Sequence, residues 1–296
     1  MMIETVALSK HYGSLEAVNR LNLRVPAGGI NAFLGPNGHG KSTTIKMLLG
    51  MTRPTAGQGW VMGLPIDEPR ASLEIRKRTG FASEDKQTYG FMTVQQILDF
   101  TRSLYPLWRR DREMHLLKRF ELPANRKIKQ LSKGMRTKLA LVLAFARGAE
   151  LLILDEPSEG LDPVTTEIML QEIVRAASDG ATVFFSSHQL SEAERIADHV
   201  FILRRGQLVL DGRLDDLRAR YRRMNAVFDG PPPVGKFDPR NVEKISVHGN
   251  SCSVLVSGSA DDVAERTRAL GALSVDLRPV DLRELFLETV QDQEAV

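Results

Sequence analysis

The chain runs to 296 residues, of which 42% are hydrophobic and 26% charged, with a formal net charge of +3. That length predicts one large and one small domain rather than a single core, and the mixed composition excludes a disordered or low-complexity chain. Three surplus positive charges do not by themselves indicate nucleic acid, although a mildly basic surface suits docking beside an anionic membrane.

The opening Met-Met-Ile-Glu-Thr-Val lacks a charged region followed by an apolar one, so no signal peptide is expected. Residues 3–8 alternate apolar and polar, as a half-exposed antiparallel strand does. Residues 30–34 read as a short apolar strand. Directly after it, Gly35-Pro-Asn-Gly-His-Gly-Lys-Ser-Thr opens a helix over 41–49. The segment fits G-x-x-x-x-G-K-[ST] in the strand–loop–helix setting that makes such a match meaningful. In that loop Gly35, Asn37, Gly38, Gly40 and Thr43 let backbone N–H groups turn toward phosphate oxygens, and the helix N-terminus adds its positive end. Lys41 brings a full charge to the β/γ-phosphates, and the Ser42 hydroxyl suits Mg²⁺. His39 occupies a variable position and is expected to be a spectator.

Helices are expected over 94–104 and 133–147, followed by an apolar strand at 151–154. That strand delivers Asp155 and Glu156 to its carboxyl edge, where α/β sheets bind ligands. Asp155 suits Mg²⁺, because a hard cation selects carboxylate oxygen. Glu156, one residue on, can position or deprotonate a water. A helix over 165–177 and a strand over 182–185 continue the alternation, which predicts an α/β fold with a largely parallel central sheet.

Near residue 215 the pattern changes. Asp229-Gly-Pro-Pro-Pro-Val-Gly cannot lie inside a helix or a central strand and reads as a linker or exposed turn. Beyond it come strands at 242–247 and 253–256, a helix at 260–270, a strand at 273–277 and a last helix at 282–290, a small α+β unit. The expected domains are 1–218 and 219–296. Cys252 is the only cysteine, so neither an internal disulfide nor a cysteine metal site is available. The longest apolar runs, such as 139–146, fall far short of the ~20 residues that span a bilayer. Leu217-Arg-Ala-Arg-Tyr-Arg-Arg and Trp108-Arg-Arg-Asp-Arg are basic clusters, each readable as a solvated helix face or as a contact with anionic lipid.

Between the phosphate loop and the acidic strand end stands Leu131-Ser-Lys-Gly-Met, immediately before a helix. It resembles the signature motif of ABC ATPases, usually Leu-Ser-Gly-Gly-Gln. Other family marks stand in order: Tyr12 resembles the aromatic that stacks on adenine, Ser158-Glu-Gly-Leu-Asp162 the D-loop, and His188, in Phe185-Ser-Ser-His, the switch histidine. The resemblance spans about residues 3–215. It implies a P-loop NTPase core with an antiparallel β subdomain and a helical subdomain, plus the small C-terminal α+β domain. It also implies ATP and Mg²⁺ as ligands and head-to-tail pairing with a second ATP-binding subunit. Ser132 and Gly134 of one copy then close over the γ-phosphate held by the other, and Lys41, Glu156 and His188 carry hydrolysis. Lys133 and Met135 depart from the usual signature and resemble exporter cassettes. At the Q-loop position stands Glu84, a Mg²⁺ contact in this reading, with Gln87 as the competing alignment.

Two functions fit the family. One is a transport motor, peripheral at the cytoplasmic face of the cell membrane, driving a separate integral-membrane permease, in the export direction, with no nucleic acid partner. The other is a non-transport ABC ATPase acting on ribosomes or DNA. A single cassette, with about ninety residues between phosphate loop and signature, favours the first.

Overall fold

Two kinds of apolar pattern build two kinds of sheet in the first part of the chain. β1 (Ile3–Tyr12), β2 (Leu15–Leu21) and β3 (Arg24–Val25) open the chain, and the alternating burial of β1 is that of a strand with one covered face. β4 (Ile30–Leu34) is buried along its whole length and feeds α1 (Lys41–Leu48). β5 (Ala56–Val61), β6 (Leu64–Pro65), α2 (Pro69–Arg78) and β7 (Thr79–Ala82) follow. Then come α3 (Val94–Leu104), α4 (Arg110–Arg119) and α5 (Lys133–Phe145). α3 starts at a capping box: the Thr93 side chain accepts from the Gln96 backbone N–H and the Gln96 side chain accepts from the Thr93 N–H. β8 (Leu151–Asp155), α6 (Pro163–Ser178), β9 (Thr182–Ser187), α7 (Leu190–Ile196), β10 (His199–Arg204) and β11 (Gln207–Arg213) complete the series.

β1 pairs antiparallel with β2, β3 and β5, and β6 extends that sheet. The second sheet has the order β11-β10-β4-β9-β8-β7, and each pairing from β10 to β7 is parallel. β4, β8 and β9 are buried on both faces, which is why they read as continuous apolar runs rather than alternations. Phe33, Phe184 and Phe201 pack through this sheet, the first two with ring centroids 5.2 Å apart. The fold is the α/β, P-loop NTPase type expected, with the antiparallel sheet beside the parallel one and the parallel strands ending at the phosphate loop, Asp155 and His188.

The structure describes residues 1–83, 89–237 and 241–290, in two compact units, Met1–Asp211 and Gly212–Val296. The division precedes the expected boundary after residue 218, which falls inside α8 (Leu214–Arg220). The second unit continues with β12 (Tyr221–Phe228), β13 (Val242–His248), β14 (Ser251–Ser257), α9 (Ala260–Ala269), β15 (Ala272–Pro279) and α10 (Leu282–Val290). Its antiparallel sheet has the order β13-β14-β12-β15, and the triple proline lies between β12 and β13. Met224, Ala226 and Phe228 of β12 pack with Cys252, Val254 and Val256 of β14 and with Val263 and Ala264 of α9.

The arginine-rich segment is a solvated helix face only in its first half, where Arg218 and Arg220 lie on α8. The helix stops at Arg220, and Tyr221-Arg-Arg begins the central strand β12. Arg223 is 7% exposed and pairs with Glu288 at 2.7 Å and Glu284 at 3.6 Å, both on α10. Arg222 donates to the carbonyls of Arg218 and Tyr221, and Arg220 lies over the Tyr221 ring. The cluster at Trp108 is likewise engaged: Trp108 donates to Glu113, Arg109 to Asp111, and Arg112 is buried 3.5 Å from Glu172. Intramolecular carboxylates thus pair with Arg109, Arg112 and Arg223.

Candidate functional site

One loop and three strand ends build the site. β4 ends at Gly35, and the chain curls through Asn37, Gly38 and Gly40 before α1 takes it away. Gly40 has φ +97, and a Cβ there would stand 2.2 Å from the Ala17 carbonyl oxygen, so only glycine closes the loop against β2. Asn37, Gly38, Gly40, Lys41, Ser42 and Thr43 line a cleft of about 400 Å³ together with Tyr12, Leu15, Ala17 and Glu156. Tyr12, at the end of β1, is 48% exposed at the rim, with the Lys10 ammonium over its ring, 5.1 Å from the centroid. His39 is tied into its surroundings: its ring Nδ1 accepts from the Arg205 N–H at 3.3 Å, and its carbonyl accepts from Gly206. These bonds make it part of the packing between the phosphate loop and the β10–β11 turn.

Lys41 is buried, and its ammonium donates to the Gly35 carbonyl at 2.7 Å while lying 3.2 Å from Glu156 Oε1. Glu156 follows β8 directly and is itself buried. Its φ of +48 places a non-glycine residue in the left-handed region, a strain of roughly 1–2 kcal/mol of the kind found at functional sites. His188, beyond the end of β9, brings its Nδ1 to 2.7 Å from Glu156 Oε2. Glu156 Oε1 has no hydrogen-bond partner although it is buried.

Asp155 ends β8. Its Oδ1 accepts from Ser186 at 2.6 Å and from Ser42 at 3.3 Å. Burial pushes the Asp155 carboxyl above the ordinary aspartate range, with the charge of Glu156 adding to the effect and the two hydroxyls and Lys41 opposing it. Sequence reasoning missed Ser186, which donates to the Asp155 carboxylate and accepts from the Glu156 backbone N–H at 3.0 Å, and so braces one side chain and the main chain of the next residue. The only hint was its place in Phe185-Ser-Ser-His.

Ser132 and Gly134 stand elsewhere. Ser132 is the exposed N-cap of α5, its hydroxyl accepting from the Met135 N–H, and neither residue lines the cleft that holds Lys41. Gly134 is required by packing: a Cβ there would lie 2.5 Å from the Gly160 carbonyl oxygen. Lys133 pairs with Glu159, so the signature helix and the loop after Glu156 are joined through the residue that departs from the common signature. Glu84 and Gln87 lie outside the described residues.

Residues 18–159 match the family model described as ABC transporter. The chain is 36% identical over 225 residues to the bacitracin transport ATP-binding protein BcrA of Bacillus licheniformis, covering 75% of this chain and 73% of that protein. It is 31% identical over 292 residues to the Nod factor export ATP-binding protein I of Rhizobium etli, covering 95% and 90%. Among solved structures, an ATP-binding subunit of an ABC transporter superposes with a TM-score of 0.68 at 30% identity, covering 74% of this chain and 92% of that one. A dimeric bacterial ABC transporter cassette, MJ0796, gives a TM-score of 0.66 at 26% identity, covering 72% and 99%.

Proposed function

The chain belongs to the ABC transporter family, and from that premise we propose that it is the ATP-hydrolysing motor subunit of an exporter, acting on a separate membrane permease. The observation that carries the chemistry is the convergence of Lys41, Glu156 and His188 at the phosphate-loop cleft. Backbone N–H groups of the loop and the Lys41 ammonium hold the phosphates, and the Tyr12 ring stacks on the base. Glu156 accepts a proton from the attacking water while His188 holds the carboxylate and orients it. The water oxygen bonds to the γ-phosphorus as the bond to the β-phosphate bridging oxygen breaks, leaving ADP and phosphate.

Ser42 and Asp155 fit Mg²⁺ as a companion of the nucleotide. Among the described residues no group of three or more His, Cys, Asp or Glu could hold a metal alone. One hydroxyl touching one carboxylate is the donor set of a cation that completes its shell with phosphate and water. When bound, Mg²⁺ neutralises charge developing on the phosphates. Glu84 is proposed as a further contact.

Pairing of two cassettes is supported by the exposure of Ser132 at a helix N-terminus outside its own cleft, free to meet the γ-phosphate in a second copy. A permease partner is supported by two features. No helix among the described residues is long and apolar enough to cross a membrane. In addition, Tyr89, Phe91 and Phe100 form an exposed aromatic cluster with centroids 5.9 and 6.2 Å apart. Export, with the chain at the cytoplasmic face of the cell membrane, is our reading of direction, supported by the Nod factor export relative and by Lys133 and Met135.

Glu156→Gln tests the chemistry. ATP turnover should fall by about a hundred- to ten-thousandfold, while ATP still binds and holds a dimer visible by size-exclusion chromatography. Wild-type turnover in that variant would overturn the assignment. Purification from detergent-solubilised membranes should bring down an integral-membrane protein; recovery with ribosomes alone would replace the transport reading.

A further inference from the structure

One buried carboxylate at the site is used by none of these steps. Glu192, in the first turn of α7, is only 4% exposed. Its Oε2 accepts from the Ser158 hydroxyl at 3.1 Å and from the Ser187 hydroxyl at 3.3 Å. Gln189 completes the knot, its side-chain amide donating to Ser158 Oγ at 3.3 Å and its backbone N–H to Ser187 Oγ at 2.9 Å. The other carboxylate oxygen, Oε1, is buried with no hydrogen-bond partner. Burial first, and the nearby Glu156 charge after it, push the Glu192 carboxyl above the ordinary glutamate range. An apolar side chain would fill this space without the desolvation cost, so space-filling does not account for a glutamate here.

The places of its two partners do. Ser158 stands two residues after Glu156, and Ser187 immediately precedes His188. We infer that Glu192 is a positioning residue for hydrolysis, tying the segment that carries Glu156 to the segment that carries His188 and so setting the distance between them. The inference rests on the proposed roles of Glu156 and His188. It extends them from two side chains to the clamp behind them. A reacting pair held by one clamp keeps its geometry when the loop after Glu156 meets a second cassette. Displacements of an ångström at such a pair cost about a hundredfold in rate.

The test uses the full chain with Mg²⁺ and ATP, measuring turnover and, separately, equilibrium binding of a fluorescent ATP analogue. Glu192→Leu should lower kcat about ten- to a hundredfold while the Kd for nucleotide stays within about twofold of wild type. Glu192→Gln, which keeps an oxygen acceptor for the two serines, should restore most of the turnover. Should Glu192→Leu fail to fold, the pair Ser158→Ala with Ser187→Ala cuts the same ties from the other side and should reproduce the loss. Wild-type kcat in folded Glu192→Leu or in the double serine variant overturns the inference, as does a parallel loss of ATP binding. Failure of the parent reading looks different: Glu156→Gln then turns over like wild type whatever Glu192 does.

Discussion

The cleft of the first unit and the sheet of the second bury carboxylates under opposite conditions. At the cleft of the first unit, Asp155 and Glu192 lose water and receive mainly hydroxyl partners, so burial raises both above their ordinary ranges. Glu156 keeps one oxygen without a hydrogen bond, and it is held in a left-handed backbone conformation. In the second unit Glu288 is also drawn out of water, but Lys244 at 2.8 Å and Arg223 at 2.7 Å outweigh the burial and hold its carboxyl below the ordinary range. Charge in the small unit is compensated by its own chain. The cleft braces Asp155 on two hydroxyls and sets Lys41 beside Glu156, an arrangement open to a metal nucleotide that costs stability until one binds.

Asp155→Asn probes that contrast most strongly. It should lower Mg²⁺-dependent turnover about a hundredfold or more, yet raise the thermal midpoint of the ligand-free chain. The sign follows from the raised carboxyl: the folded state holds that proton more tightly than the unfolded one, so the stability it contributes is lost as pH rises through the raised value. The Asn variant has no such loss, and its advantage should therefore grow as pH rises from the ordinary aspartate range through the raised value. An unchanged midpoint across that range would remove the cleft's side of the comparison.

Arg223→Met comes next. Leaving Glu288 and Glu284 without their buried guanidinium should destabilise the second unit by roughly 3–5 kcal/mol, with ATP binding retained. Its pH dependence runs the other way. Glu288 is depressed, so its stabilisation is present above the ordinary carboxylate range and lost as pH falls through the lowered value. Proteolysis or hydrogen exchange over Tyr221–Phe228 would report the loss; full protection in the variant would show that the strand needs no such pairing.

The smallest expected effect lies at the rim of the cleft. Tyr12→Ala should weaken ATP binding by about three- to tenfold and Tyr12→Phe hardly at all, since the ring face and not the hydroxyl meets the base. Equal affinity in the alanine variant would place the base elsewhere.

Much of the first unit was legible because its chemistry is written in contiguous residues. A phosphate loop is a strand end, a turn and a helix start within nine positions, and β4 matched its expected bounds at Ile30–Leu34. The continuous apolar run of β8 likewise announced that Asp155 and Glu156 stand at a sheet edge. Composition misled at Tyr221-Arg-Arg, where charge density suggested a wet helix. The partner that makes a buried arginine tolerable in β12 arrives from Glu288, 65 positions later.

The sequence by itself thus determined the phosphate loop with its flanking strand and helix and the strand end that carries Asp155, since periodicity, glycine placement and strand ends are local properties. Only the tertiary structure decided how charged those residues are and what holds them. Ser186 reaches Asp155 across 31 positions, Glu192 reaches Ser158 across 34, and the Asp155 and Glu192 carboxyl groups take their high proton affinity from burial among the neighbours that enclose them. Desolvation and hydrogen bonding depend on what the fold brings within 3 Å, and no spacing along the chain encodes that distance.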